Sequence, residues 1–315
     1  MRRVLACLAF LLFAVPGGGV SFDYGLVPRE VAPGVYVFVG KTEDFSTRNG
    51  GNIVNTGFIV GTGGIVVIDT GPSLRYGRQM RAAIAAWSEA PIVLVLNTHL
   101  HPDHFLGNQA FADRPVGALA ATRSGIERDG NAFAENLFRM AGDWMLGTEV
   151  VAPTLDLAEG VREVAGLRLR LIALKGHTDA DLAVYDEASG VLFAGDLVFN
   201  GRAPTTPHAE MSAWHAALDQ LEAITREPGF RKLVPGHGQV AQDAAPIVQT
   251  RAYLRWLERE FAEAAAAGLD MNEVLARPIP AEFAALGVVT TEYRRSVGHL
   301  FPAAEQKALG RGAAH

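Results

Sequence analysis

The sequence predicts an α/β fold, and three features of the chain support this class. Two apolar runs, at 64–69 and 91–96, are nearly continuous, as in strands that are buried on both faces of a parallel sheet. The segment between them, 74–87, carries apolar residues such as Ile84 and Trp87 at helical spacing. This strand–helix–strand order implies a right-handed crossover between two parallel strands.

The remaining elements follow from the same patterns. Residues 167–171 alternate between leucine and arginine, which is typical of a strand with one buried face. Further strands are predicted at 35–39, 52–60, 182–185, 191–194 and 232–234. Helices are predicted at 120–147, from a cap at Ser212 to Glu222, and throughout the chain after 246, with Leu254, Leu257 and Phe261 on one face.

Length and composition describe a folded globular chain. Of its 315 residues, 49% are hydrophobic and 20% are charged, which excludes an intrinsically disordered protein. The net charge is −6 and the chain has no run of Lys or Arg, so a nucleic-acid partner is not expected. The expected partner is a small-molecule substrate. No repeat or linker divides the chain. We therefore expect one domain at 22–245 and a helical C-terminal extension of the same domain at 246–315.

The first 21 residues have the layout of a secretory signal peptide. Arg2 and Arg3 precede an apolar stretch at 4–15 and a small-residue tail at 16–19. The apolar stretch is shorter than the roughly 20 residues that span a bilayer, so an uncleaved anchor is the less favoured alternative. The prediction is a periplasmic protein without stable membrane insertion after cleavage. Loss of Cys7, the only cysteine, leaves His, Asp and Glu as metal ligands.

The strongest chemical signal follows the predicted strand at 91–96. His99 and His101 are two residues apart in an extended turn and can bind one ion together, while Asp103 and His104 can reach a second ion. The alternative is a His-rich turn without a metal. Three histidines and one aspartate within six residues are improbable by chance, so the metal site is favoured.

Three more candidate ligands each follow a predicted strand. They are His177, Asp196 and His237, and α/β sheets place their ligand crevices at such strand ends. Glycines beside them allow the backbone to approach a crowded centre. The other histidines do not share this context; they are His208, His215, His299 and His315.

The order His-x-His-x-Asp-His, Gly-His-Thr, Ala-Gly-Asp and Pro-Gly-His-Gly resembles the metallo-β-lactamase fold superfamily over about residues 35–240. The resemblance implies a four-layer αββα sandwich with a dinuclear zinc site. It implies that the first Zn2+ is held by His99, His101 and His177. It implies that the second is held by Asp103, His104 and His237, with Asp196 bridging both. Asp69, in the superfamily's first motif, would support the site without binding metal.

Three runs narrow this resemblance further. The segments 49–61, 97–108 and 176–182 are similar to the quinoprotein relay system zinc metallohydrolases, a secreted branch of the superfamily. This similarity implies a functional link to a periplasmic quinoprotein system.

The expected activity is hydrolysis by a metal-bridging hydroxide that attacks an ester, thioester, lactone or related bond. Asp103 is expected to be the catalytic residue that orients the hydroxide and carries a proton. One alternative is a class B β-lactamase, against which the bridging Asp196 speaks, because the β-lactamases of this fold lack an aspartate there. Others are a mononuclear iron sulfur-oxygenase resembling a persulfide dioxygenase, and a metal-loaded binding protein without turnover.

The sequence predicts the substrate-binding residues less specifically than the metal ligands. The loop 200–208 is a candidate for the mouth of the site, and Asn52 and Asn55 are candidates for the opposite side. For each of these the competing interpretation is an ordinary turn residue. Residues 179–180 replace a frequent Pro-Gly of the superfamily and put the local pocket shape in doubt. Tyr253 and Trp256 are expected to pack a helix rather than to form a lid.

Overall fold

The computed structural model describes residues 22–312, so the predicted signal peptide lies outside the described residues. The first sheet has seven strands in chain order, with antiparallel pairing from β1 to β4 and parallel pairing from β4 to β7. Its strands are β1 (Arg29–Ala32), β2 (Val35–Phe38), β3 (Thr56–Gly61), β4 (Gly64–Ile68), β5 (Ile92–Leu96), β6 (Val116–Leu119) and β7 (Leu155–Leu157). Helix α1 (Leu74–Trp87) connects β4 to β5, as the apolar pattern predicts.

The second sheet has five strands in the order β12-β11-β10-β9-β8. They are β8 (Gly160–Val164), β9 (Leu167–Leu174), β10 (Asp181–Asp186), β11 (Val191–Phe193) and β12 (Lys232–Val234). The alternation in β9 buries Leu169 and Leu171 in one cluster with Val37 and Val66 of the first sheet. The inner faces of the two sheets therefore form the central core, as in a β-sandwich.

Helices cover the outer faces of both sheets. Besides α1 they are α2 (Pro102–Phe105), α3 (Ala120–Ala141), α4 (Met211–Thr225), α5 (Ala245–Ala266), α6 (Met271–Leu275) and α7 (Val289–Gly312). Tyr76 and Met80 of α1 pack on the first sheet, and Trp214 of α4 and Leu254 of α5 pack on the second. This arrangement confirms the predicted αββα sandwich. No helix within the described range is long and apolar enough to cross a membrane.

The C-terminal helices pack on one another, but they are not continuous. The prediction that the chain is helical throughout after 246 is wrong for residues 276–288, which form turns. Pro278 and Pro280 explain the break, because proline lacks the N–H that a helix interior requires. Tyr253 and Trp256 are buried in one cluster with apolar residues of α7, in agreement with the predicted packing role.

Two other element boundaries differ from the sequence pattern. The predicted strand at 52–60 starts only at Thr56, because the Asn55 side chain donates to the carbonyl oxygens of Pro235 (2.8 Å) and Gly238 (2.7 Å) and holds a turn. The predicted helix 120–147 ends at Ala141, and Gly142 follows with φ 63°.

Helix α4 is not capped by Ser212. The Glu210 carboxylate accepts hydrogen bonds from the backbone N–H groups of Ser212 (3.1 Å) and Ala213 (2.9 Å). Glu210 directly precedes the helix, the position from which a side-chain oxygen reaches the free N–H groups of the first turn, whereas Ser212 lies inside that turn.

Candidate metal centre

All seven candidate metal ligands lie in segments that directly follow strands, and all are buried. The His-rich run follows β5, His177 follows β9, Asp196 follows β11 and His237 follows β12. The ends of these strands meet at one edge of the sandwich, so local sequence motifs that are up to 138 residues apart converge on one centre. Their donor atoms form two groups.

The first group contains His99, His101, His177 and Asp196, whose donor atoms all lie within 4.8 Å of one another. The Nδ1 atom of His101 lies 3.1 Å from Nε2 of His99 and 2.8 Å from Nε2 of His177. Three ring nitrogens of three histidines therefore converge on one point.

The second group contains Asp103, His104 and His237. Oδ2 of Asp103 lies 3.5 Å from Nε2 of His237 and 3.8 Å from Nε2 of His104. Asp196 lies between the two groups: its Oδ1 is 3.2 Å from Nε2 of His104, and its Oδ2 is 3.4 Å from Nε2 of His177. A single carboxylate thus faces both groups.

The donor atoms have the chemistry of a metal site. Nε2 of His104 and Oδ1 of Asp196 are buried and, although they lie 3.2 Å apart, neither makes a hydrogen bond of good geometry within residues 22–312. Buried polar atoms left in this way are costly unless a cation completes the site. Imidazole and carboxylate are suitable ligands for zinc and iron. The two buried groups therefore fit a dinuclear metal site.

The electrostatics of the first group also favour ligand-competent histidines. Burial lowers the pKa of His99 and of His101 well below the usual value, and it lowers the pKa of His177 to about 3. The neutral imidazole is the form that binds metals. Burial alone would also lower the pKa of His104, but the carboxylates of Asp196 and Asp69 raise it well above the usual value.

Asp69 supports the second group through His104. Its Oδ2 lies 2.8 Å from Nδ1 of His104, and its two oxygens accept hydrogen bonds from the backbone N–H and the hydroxyl of Thr98, each at 2.8 Å. A carboxylate in this position fixes the ring orientation so that Nε2 points into the centre. Nδ1 of His237 is held in the same way by the carbonyl oxygen of Ile53, at 2.8 Å.

The glycine before His237 is required by the packing of the centre. A Cβ at Gly236 would lie 1.9 Å from Oδ1 of Asp196. We expect Gly236→Ala to weaken metal binding by about 10-fold or more, because Asp196 must turn away from the ligands. Competition with a chelator measures this. The control is Gly298→Ala on α7, where a Cβ meets nothing within 4 Å; equal metal affinity in both variants would contradict the prediction.

A second support holds the loop of His177. Asp181 accepts hydrogen bonds from the backbone N–H groups of His177 (3.1 Å) and Thr178 (2.9 Å) and from the Thr178 hydroxyl (2.7 Å). The turn is therefore closed by a side chain even though residues 179–180 depart from the superfamily's Pro-Gly.

Asp181→Ala is expected to reduce the free energy of unfolding by ~2–4 kcal/mol, because it leaves several buried donors without an acceptor. Urea denaturation of the metal-loaded protein measures the loss. Asp179→Ala is the matched control, since Asp179 is exposed in the same turn. A loss that is equally small in both variants would show that the turn does not depend on Asp181.

A cavity of about 350 Å³ opens onto the centre. The sequence-predicted loop 200–208 contributes to its wall, whereas Asn52 and Asn55 do not line it. Its apolar lining comes from Phe45, Ile53, Phe133 and Met140. His208, at the end of that loop, is part of the polar lining, and Arg295 and His299 of α7 are the polar lining residues that the sequence did not predict.

Helix α7 contributes to this cavity through an ion-pair network. The buried Arg202 contacts Glu292 at 3.1 Å, and Arg295 contacts Glu292 at 2.9 Å and Asp44 at 2.8 Å. No local sequence motif predicts these ion pairs, because their partners are far apart in the chain; Arg202 and Glu292 are separated by 90 residues. The C-terminal helix is thus part of the surroundings of the site.

The fold and the site together define an αββα sandwich with two adjoining His/Asp groups, suited to bind metal ions, at one edge. The sequence profile of the Metallo-beta-lactamase superfamily matches residues 49–237, more than half of the chain. The chain belongs to the metallo-beta-lactamase superfamily.

Several relatives with named activities share part of the sequence. A linear primary-alkylsulfatase from a Pseudomonas species is 23% identical over 297 residues, covering 78% of this chain and 54% of that protein. An acyl-coenzyme A thioesterase from Bos taurus is 27% identical over 207 residues, covering 59% of this chain and 74% of that protein. The chain thus spans about half the length of the alkylsulfatase. These relatives are named as hydrolases, in agreement with the predicted class of enzyme.

Solved structures agree with the fold. A metallo-beta-lactamase from Pontibacter korlensis superposes with a TM-score of 0.59 and 20% identity, covering 73% of this chain and 99% of that one. The metallo-beta-lactamase IND-7 superposes with a TM-score of 0.58 and 19% identity, covering 73% of this chain and 98% of that one. At these identities the similarity establishes the shared fold alone.

Proposed function

We propose that this protein is a dinuclear zinc hydrolase that cleaves an ester, thioester, lactone or related bond. The observation that carries the proposal is the position of Asp196, whose two oxygens face both ligand groups. In this assignment His99, His101 and His177 hold the first ion. Asp103, His104 and His237 hold the second, and Asp196 bridges them.

Two bound metal ions would supply a hydroxide near neutral pH and polarise the bond that is cleaved. The chain's own residues contribute positioning and proton transfer. Asp103 supplies the carboxylate of the second ligand group, and a carboxylate beside the attacking water can take up its proton and pass it on. Asp103 also lines the cavity, so a substrate bound there would lie beside it. We therefore assign it the general acid/base role.

The cavity wall supports a substrate with an apolar acyl or alkyl part. Phe133 and Met140 of α3 face the centre together with Phe45 and Ile53, and a cavity of about 350 Å³ admits a small molecule. The alkylsulfatase and acyl-coenzyme A thioesterase relatives agree with such a substrate. Short-chain acyl-coenzyme A thioesters, alkyl sulfates and aromatic esters are therefore the first substrates to assay.

Two finer proposals come from the sequence. The N-terminal segment 1–21 supports export to the periplasm, and the runs at 49–61, 97–108 and 176–182 support membership of the quinoprotein relay branch. Mass spectrometry of the secreted protein tests the first: the expected N-terminus lies near Ser21, and an intact Met1 in a membrane fraction would contradict it.

Elemental analysis of the secreted protein, purified without chelator, tests the proposed function together with the substrate assays. We expect about two zinc ions per chain and hydrolysis of at least one ester, thioester or sulfate. One iron per chain with little zinc would replace the proposal by oxygen-dependent sulfur chemistry. Turnover of β-lactams alone would replace it by a β-lactamase. A protein without bound metal would overturn it.

A further inference from the structure

His208 lies against a candidate metal ligand, although it is not a ligand in any motif of the chain. Its Nδ1 atom is 2.8 Å from Nε2 of His101, and the two residues are 107 positions apart. The ring centroids are 5.1 Å apart. His208 belongs to the loop that follows β11 and lines the cavity in front of the centre.

The direction of the His101 ring decides which nitrogen carries its proton. Nδ1 of His101 points to Nε2 of His99 and Nε2 of His177, at 3.1 and 2.8 Å. A ring that binds a metal through Nδ1 must keep that lone pair free, so its proton resides on Nε2. The Nε2–H group then donates to Nδ1 of His208.

The same bond determines the tautomer of His208. Because Nδ1 of His208 accepts, the proton of its own ring resides on Nε2. Within residues 22–312, His208 makes no other side-chain hydrogen bond. Its ring is held from the side by Phe133, with centroids 6.0 Å apart at 82°.

We propose that His208 is a positioning residue for the first metal. It accepts the hydrogen bond of His101 and thereby holds Nδ1 of that ligand toward His99 and His177. Its remaining N–H group becomes a donor on the cavity wall, available to an oxygen atom of a bound substrate. The proposal depends on the ligand assignment of His101 and not on the bond that the enzyme cleaves.

Two variants separate the hydrogen bond from the bulk of the side chain. In His208→Asn, the amide oxygen can take the place of Nδ1 as an acceptor; His208→Leu fills similar space without one. We expect the leucine variant to bind the first Zn2+ about 10-fold to 100-fold more weakly, which is the usual effect of removing a partner of a ligating histidine. The asparagine variant is expected to stay within about threefold of the native affinity.

The measurement is competition for Zn2+ between the metal-free protein and a chelator, with thermal melting of each variant as a check on folding. His299→Leu is the matched control, because His299 lines the same cavity and no hydrogen bond joins it to His101 in the described residues. Native affinity in His208→Leu, or equal losses in the leucine and asparagine variants, would overturn the proposal. If His208→Leu does not fold, His208→Ala gives the same comparison. Since the readout is metal affinity, failure here is distinguishable from failure to find a hydrolysed substrate.

Discussion

Replacement of Asp196 by alanine is expected to lower hydrolytic turnover by roughly 100-fold or more and to reduce bound zinc from about two ions per chain to about one. Asp196 is the carboxylate that contributes to both ligand groups: Oδ1 lies 3.2 Å from Nε2 of His104 in the second group, and Oδ2 lies 3.4 Å from Nε2 of His177 in the first. Its loss also leaves the five histidines of the two groups around a centre with one negative charge fewer.

The measurement combines elemental analysis with the rate on the best substrate from the panel. Asp186→Ala is a suitable control, because Asp186 is another buried aspartate in the same sheet that accepts a hydrogen bond from the backbone N–H of Ser189. The control is expected to keep its metal. If Asp196→Ala retained both zinc ions and its rate, the dinuclear assignment would be wrong.

Replacement of Asp103 by asparagine is expected to lower kcat by about 100-fold to 10,000-fold, the usual contribution of a general acid/base. Asparagine keeps the shape of the side chain and an oxygen that can face the metal, but it does not exchange a proton near neutral pH.

Comparison with Asp103→Ala separates the two roles of this residue. Both variants are expected to lose turnover, but only the alanine variant is expected to lose the second metal as well. Steady-state rates at saturating substrate, with metal content determined on the same samples, test this. Unchanged turnover in Asp103→Asn with metal retained would exclude the acid/base role and leave Asp103 as a ligand alone.

Much of the fold is encoded in local patterns. The apolar runs of β4 and β5 and the helical spacing between them predict the parallel crossover, and the bounds of α1 match the pattern. One error occurred where a contact distant in the chain overrides the local pattern. Asn55 leaves the predicted strand because its amide binds carbonyl groups beyond β12.

The candidate metal ligands were also predicted from local patterns. Residue type and spacing suffice to select the seven candidates. Three histidines and an aspartate in one turn are improbable without a metal, and the other three candidates each follow a predicted strand. Their roles as ligands stay a prediction that metal analysis must test. His208 shows the limit of this reasoning: the sequence predicted its loop at the mouth of the site, but the 2.8 Å contact of His208 with His101 is seen only in the structure.

The resemblance to the superfamily implied the αββα arrangement, and the sequence patterns themselves predicted the α/β class, the order of most elements and the residues able to bind metal. These patterns depend on periodicity and on residue chemistry, which act over a few positions of the chain. The tertiary structure decided the distances at which Asp196 faces both groups and Asp69 contacts His104, and it alone revealed that α7 borders the cavity and that His208 contacts His101. These are distances between side chains from separate elements, and only the packing of the two sheets and their helices sets them.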